Sequence, residues 1–132
     1  MRATLVADGS SDAVLIPLLS WLLAQLTPEP WELRWADLRG LSLPPRHLED
    51  RIQVAVEYYP CDLLFVHRDA EKEPPDARMA EIIRANRGRY RHVCVVPVHM
   101  QEAWLLHDEA SLREAAGRPL GSEPLQLPPL KW

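Results

Sequence analysis

The chain has no excess of positive charge: 15 Lys and Arg stand against 19 Asp and Glu, for a formal charge of −4. A protein that holds nucleic acid by bulk electrostatics is thereby excluded, and any such contact needs a local patch or a bound cation. There are only two cysteines, Cys61 and Cys94, both in or beside predicted buried strands. That is too few for a disulfide framework and fits reduced structural thiols in a cytosolic protein. No apolar run is long enough to span a bilayer, since the longest, Ala13 to Leu26, is broken by Pro17, Ser20 and Gln25. The opening Met-Arg-Ala-Thr-Leu-Val-Ala-Asp meets an acid too early for a signal-peptide core. Internal repeats are lacking as well, and none of the five histidines has the tight HxH or HxxxH spacing of a zinc hydrolase.

What the chain does have is one apolar run that ends in chemistry. Leu63, Leu64, Phe65 and Val66 are followed by His67, Asp69 and Glu71, which reads as a buried strand of a parallel sheet with ligand-type side chains at its carboxyl end. Ligands of open α/β sheets sit outside that edge. With 132 residues and 47% hydrophobic content, one domain with a substantial core is expected.

Ala3 to Ala7 predicts a first buried strand, closed by Asp8-Gly9-Ser10-Ser11-Asp12, where Gly9 suits a tight turn and Asp12 suits the positive end of a helix. A helix follows from about Asp12 to Leu26, apolar nearly all round and so expected to be buried on more than one side, with a kink or a late start at Pro17. Trp31, Leu33 and Trp35 alternate with polar neighbours as in a half-exposed edge strand. A helix from about Pro45 to Tyr59 is stopped by Pro60, another runs from about Ala77 to Arg87, and Tyr90 to Val98 reads as a further buried strand. A last helix is expected from about Gln101 to Ala116. The alternation implies an α/β, Rossmann-like three-layer sandwich with about four mainly parallel strands and flanking helices over residues 1–117. Residues 118–132, with Pro119, Pro124, Pro128 and Pro129, read as an extended tail, a docking strap or the cut end of something longer.

Three strand ends thus deliver acids to one edge: Asp8 and Asp12, then Asp69 and Glu71, then Glu102. Converging hard oxygen ligands are what Mg²⁺ or Mn²⁺ requires, and a metal held so suits phosphoryl transfer. Arg84, Arg87, Arg89 and Arg91 form a basic cluster, but a helix returning from the active edge ends on the order of 17 Å away. Cations there complement the helix dipole. Trp104, beside Glu102, reads as a core anchor that aims the carboxylate.

Val6-Ala7-Asp8-Gly9-Ser10-Ser11-Asp12 resembles the opening motif of Toprim-type domains, and Val66-His67-Arg68-Asp69 resembles their Asp-x-Asp motif. Val96 to Asp108, with Glu102, Trp104, Leu105 and Leu106, resembles a segment of small Toprim-like proteins encoded beside ATPases in bacterial defence loci. The resemblance covers about residues 3 to 116. It implies a Toprim fold and a divalent-metal-dependent phosphoryl-transfer enzyme, a nuclease in a bacterial defence or DNA-processing system, using Mg²⁺ or Mn²⁺. On that reading Asp8 serves acid/base work or metal contact, Asp69 is the second acid of the pair and Glu102 the acid of the tryptophan segment. His67 stands where the first Asp belongs, so either Glu71 compensates, the metal is a softer one held through imidazole, or activity is lost. The alternative is a catalytically inactive module that binds a partner ATPase or nucleic acid.

Overall fold

A computed structural model describes residues 1–98 and, beyond them, positions 110, 113, 114, 117, 120–122 and 124. Glu102, His99, Trp104 and most of the expected last helix and tail lie outside the described residues; Ala110, Arg113 and Glu114 are helical.

Four strands, β1 (Arg2–Val6), β2 (Glu32–Trp35), β3 (Leu63–His67) and β4 (His92–Val95), form one sheet in the order β2-β1-β3-β4, every neighbouring pair parallel. Helices α1 (Leu15–Leu26), α2 (Leu48–Tyr58) and α3 (Pro75–Asn86) supply the crossovers. The chain is thus an α/β fold of the expected kind. β1 leads through α1 to one side and β3 leads through α3 to the other, so the strand order reverses between β1 and β3. That crevice is the topological switch point, where α/β sheets bind their ligands.

Each central strand feeds two cores. Ala3, Leu5, Leu63 and Phe65 pack with Leu15, Leu19 and Leu23 of α1, whereas Val6, Leu64 and Val66 pack with Leu48, Ile52 and Ala55 of α2 and Ile82 of α3. Successive side chains of a strand point to opposite faces, so odd positions of β1 and β3 face α1 and even positions face α2 and α3. All five residues of β3 are buried, which a strand covered on both faces requires. Burying a side chain such as Leu64 or Ile52 contributes about 1.5–3 kcal/mol. Thr4, buried at an even position, donates from Oγ1 to the Tyr59 carbonyl at 2.8 Å and so ties the end of α2 to β1.

Residues Ser10–Val14 form a short 3-10 helix, and the α-helix starts only at Leu15. Pro17 is then its third residue, where no backbone donor is missed. This is the late start that the proline called for. α1 departs from expectation on its outer side: Leu15, Leu19 and Leu23 are buried, but Trp21 is 58% and Leu26 77% exposed. Among the described residues α1 is the one helix on its face of the sheet, so a single stripe is covered. β4 is also shorter than the expected strand and lies at an edge, with Val93 42% exposed. An apolar run of that length does not distinguish an edge from a centre. α3 begins at Pro75, two residues before the expected start, because proline suits a first helical position. Cys61 and Cys94 are free thiols, both pushed above their ordinary pKa by burial. No helix among the described residues is long and apolar enough to cross a membrane.

Candidate metal centre

Strand parity carries past the end of β3. His67 is its last residue and Asp69 lies two further on, so both continue the row begun by Leu63 and Phe65 on the α1 face. The loop holding Asp69 is fastened to the β4 side, since Arg68 N–H donates to the Val95 carbonyl and Ala70 N–H to the Pro97 carbonyl, each at 3.2 Å. Asp12 reaches the same place from the 3-10 helix that leads into α1. Its Oδ2 accepts the Gly9 N–H at 2.9 Å, which fixes the carboxylate within its own loop.

His67 is fully buried between the two acids. Nδ1 lies 3.5 Å from Asp12 Oδ2, and Nε2 lies 3.2 Å from Asp69 Oδ1. Neither ring nitrogen achieves the alignment of a hydrogen bond. One ligand atom from each of Asp12, His67 and Asp69 can be chosen so that all lie within 4.8 Å of one another. Together they form a buried Asp-His-Asp group that could bind a metal. The side chains of His67, Asp12 and Asp69 are 0%, 7% and 23% exposed, so solvent reaches the group from the Asp69 side. Leaving a buried imidazole without a hydrogen bond costs about 1–3 kcal/mol, which coordination of a cation would offset.

Of the acids expected at this edge, Asp12 and Asp69 fall in this group together with His67. Asp8 does not join it. As an even position beyond β1 it turns to the other face, where Arg51 Nη2 of α2 approaches Oδ1 at 2.7 Å and Arg68 Nε approaches Oδ2 at 3.0 Å. Arg68 also binds Glu81 of α3 at 2.7 Å, and Arg78 binds the same carboxylate at 3.0 Å. Both oxygens of Asp8 are thus engaged by guanidinium groups. Glu71 is exposed, in the left-handed region at φ 53°, and is not part of the ligand group. Asp12 takes the place that Asp8 was expected to fill. The sequence places both acids at this edge, Asp12 also at a helix end; both positions are even, and what separates them is the turn between β1 and the 3-10 helix.

Beside Asp8 opens a cavity of about 320 Å³ at the carboxyl ends of β1 and β2, lined by Asp8, Gly9, Trp35, Leu38, Pro44 and Arg51 among others. Arg39 stands over the Trp35 ring, 4.9 Å from its centroid, and is itself held by both oxygens of Asp37 at 2.8 Å. The hydrogen bonds from Arg39 hold the Asp37 carboxyl down at a pKa of about 2.

No family model, curated protein or solved structure matches the chain.

Proposed function

We propose that the chain is a Toprim-like domain in which Asp12, His67 and Asp69 hold a divalent metal that serves phosphoryl transfer on nucleic acid, as a nuclease. The observation that carries the reading is the buried imidazole of His67, set between two carboxylates with neither nitrogen hydrogen-bonded, at the switch point of a parallel sheet. The motif resemblance supports the reaction class, and it assigns Glu102 as a further ligand. A metal held there supplies charge neutralisation for a phosphate and an activated water. Imidazole among the ligands favours Mn²⁺ over Mg²⁺. The chain's own residues then act around it. Asp12 and Asp69 neutralise the cation, Gly9 holds Asp12 in place, and Asp69, the least buried of the three, marks the side from which substrate enters.

The engagement of both Asp8 oxygens by Arg51 and Arg68 favours a second reading, in which this residue does no acid/base work and the domain binds nucleic acid or a partner ATPase without cleaving. The two are separated by calorimetric titration of the wild type, Asp12→Asn, Asp69→Asn and His67→Asp with Mn²⁺ and Mg²⁺, beside cleavage assays on single-stranded and duplex DNA. Binding of Mn²⁺ more tightly than Mg²⁺, a gain for Mg²⁺ in His67→Asp, and metal-dependent cleavage are expected. A wild type that binds neither ion and cleaves nothing rejects the enzyme.

A further inference from the structure

We infer that the cavity beside Asp8 is a pocket for one nucleotide, a planar aromatic body carrying a phosphate, so that the substrate of the neighbouring metal group is a strand end or an unstacked nucleotide and not an intact duplex. The inference rests on the function proposed above and narrows it. Its first support is size. At about 320 Å³ the cavity lies at the small end of ligand pockets, which run from about 300 to 1,000 Å³, and it holds a mononucleotide but no stacked pair.

The second support is the lining. Trp35, Leu38, Pro44 and Pro45 make the walls largely apolar, and Arg39, Arg51 and Asp8 bring the charged groups to them. Apolar walls with a few convergent polar groups mark a pocket for a small amphipathic ligand, whereas a duplex backbone is met by an open row of cations. The Arg39 guanidinium, clamped by Asp37, lies over the Trp35 ring and lines the same cavity, so this wall is set before any ligand arrives. Bases stack on aromatic side chains with little regard to sequence.

Charge is the third support. Two guanidinium groups, Arg39 and Arg51, line the cavity, each paired with one carboxylate, Asp37 and Asp8, so a phosphate would share Arg51 with Asp8. The Arg51 side chain is only 18% exposed, so its charge is poorly hydrated and acts on an anion more strongly than a surface cation does. Finally, the pocket and the metal group are two sides of one loop. Gly9 lines the cavity and donates its N–H to Asp12.

The test titrates the full chain with adenosine 5′-monophosphate, adenosine and inorganic phosphate, each with and without saturating Mn²⁺. The monophosphate is expected to bind at least tenfold more tightly than either fragment. Trp35→Ala is expected to weaken it tenfold or more while Trp35→Phe retains most of the affinity. Arg51→Gln is expected to weaken the monophosphate but not adenosine, and Arg51→Lys to recover part of the loss. Mn²⁺ affinity, measured separately, is expected to stay within threefold in all four variants. Phosphate binding as tightly as the monophosphate, or a Trp35→Ala protein that keeps Mn²⁺ affinity and nucleotide affinity alike, overturns the pocket while leaving the metal reading intact. Nucleotide binding in a wild type that takes up no Mn²⁺ supports the pocket and removes the metal reading instead.

Discussion

The two sides of the carboxyl edge are opposites built from adjacent residues. On the α1 side, Asp12, His67 and Asp69 form a compact, largely buried group of two acids and an imidazole. On the α2 and α3 side, Asp8 and Glu81 are threaded between Arg51, Arg68 and Arg78, and Asp8 is 41% exposed at its side chain. One backbone run, His67-Arg68-Asp69, serves both. The difference shows that closeness along the sequence, or at a strand end, does not put two carboxylates in one site. The pleat of the strand does, by sending neighbours to opposite faces.

The largest effect is expected from removing the partition itself. Phe65, 6% exposed and packed under α1, is one side of the wall, and Phe65→Ala is expected to cost about 3–5 kcal/mol in urea unfolding. A loss below about 1 kcal/mol would mean that β3 is not the rigid divider described. Next in size, Asp12→Asn and Asp69→Asn are each expected to weaken Mn²⁺ by tenfold or more, while Asp8→Asn changes it less than threefold. Equal losses from Asp8 and Asp12 in calorimetry would erase the distinction between the sides.

A smaller effect is expected in stability from Asp8→Asn. Its ion pairs are partly solvated, so about 0.2–1 kcal/mol is expected from thermal unfolding at low salt, shrinking as salt is added. The smallest concerns pH. The Asp37 carboxyl is held down at about 2 by Arg39, below its unfolded value, so its contribution is present above the unfolded pKa and is lost as pH falls through about 2. Carbon NMR is expected to find the Asp37 carboxylate still ionised at pH 3. Protonation near pH 4 would show that Arg39 does not clamp it.

Much of the scaffold was legible in the chain. The run Leu63 to Val66 announced a central strand, Pro17 announced the late helix, and alternation in Trp31, Leu33 and Trp35 announced an edge. These are local signals, readable because burial on a strand or helix has its own period. The site was legible in part. His67, Asp69 and Asp12, all expected at this edge, fall in the group that could bind a metal, while Asp8 turns away from it, because what separates Asp8 from Asp12 is the turn of chain between β1 and the 3-10 helix. Arg51 gave no signal at all, since its role depends on meeting Asp8, 43 residues away in sequence. The outer side of α1 misled for a similar reason: an all-round apolar helix states what it could bury and not how much cover the fold provides.

Arg68 has a consequence of a thermodynamic kind. It sits between His67 and Asp69, yet it is ion-paired with Asp8 and Glu81 across the sheet from them. Any occupant of one face that shifts this residue must move the backbone that carries the ligands of the other. If a cation occupied one face and an anion the other, the two would share a coupling free energy, and linkage would make it reciprocal: the factor by which the cation changes affinity for the anion would equal the factor by which the anion changes affinity for the cation.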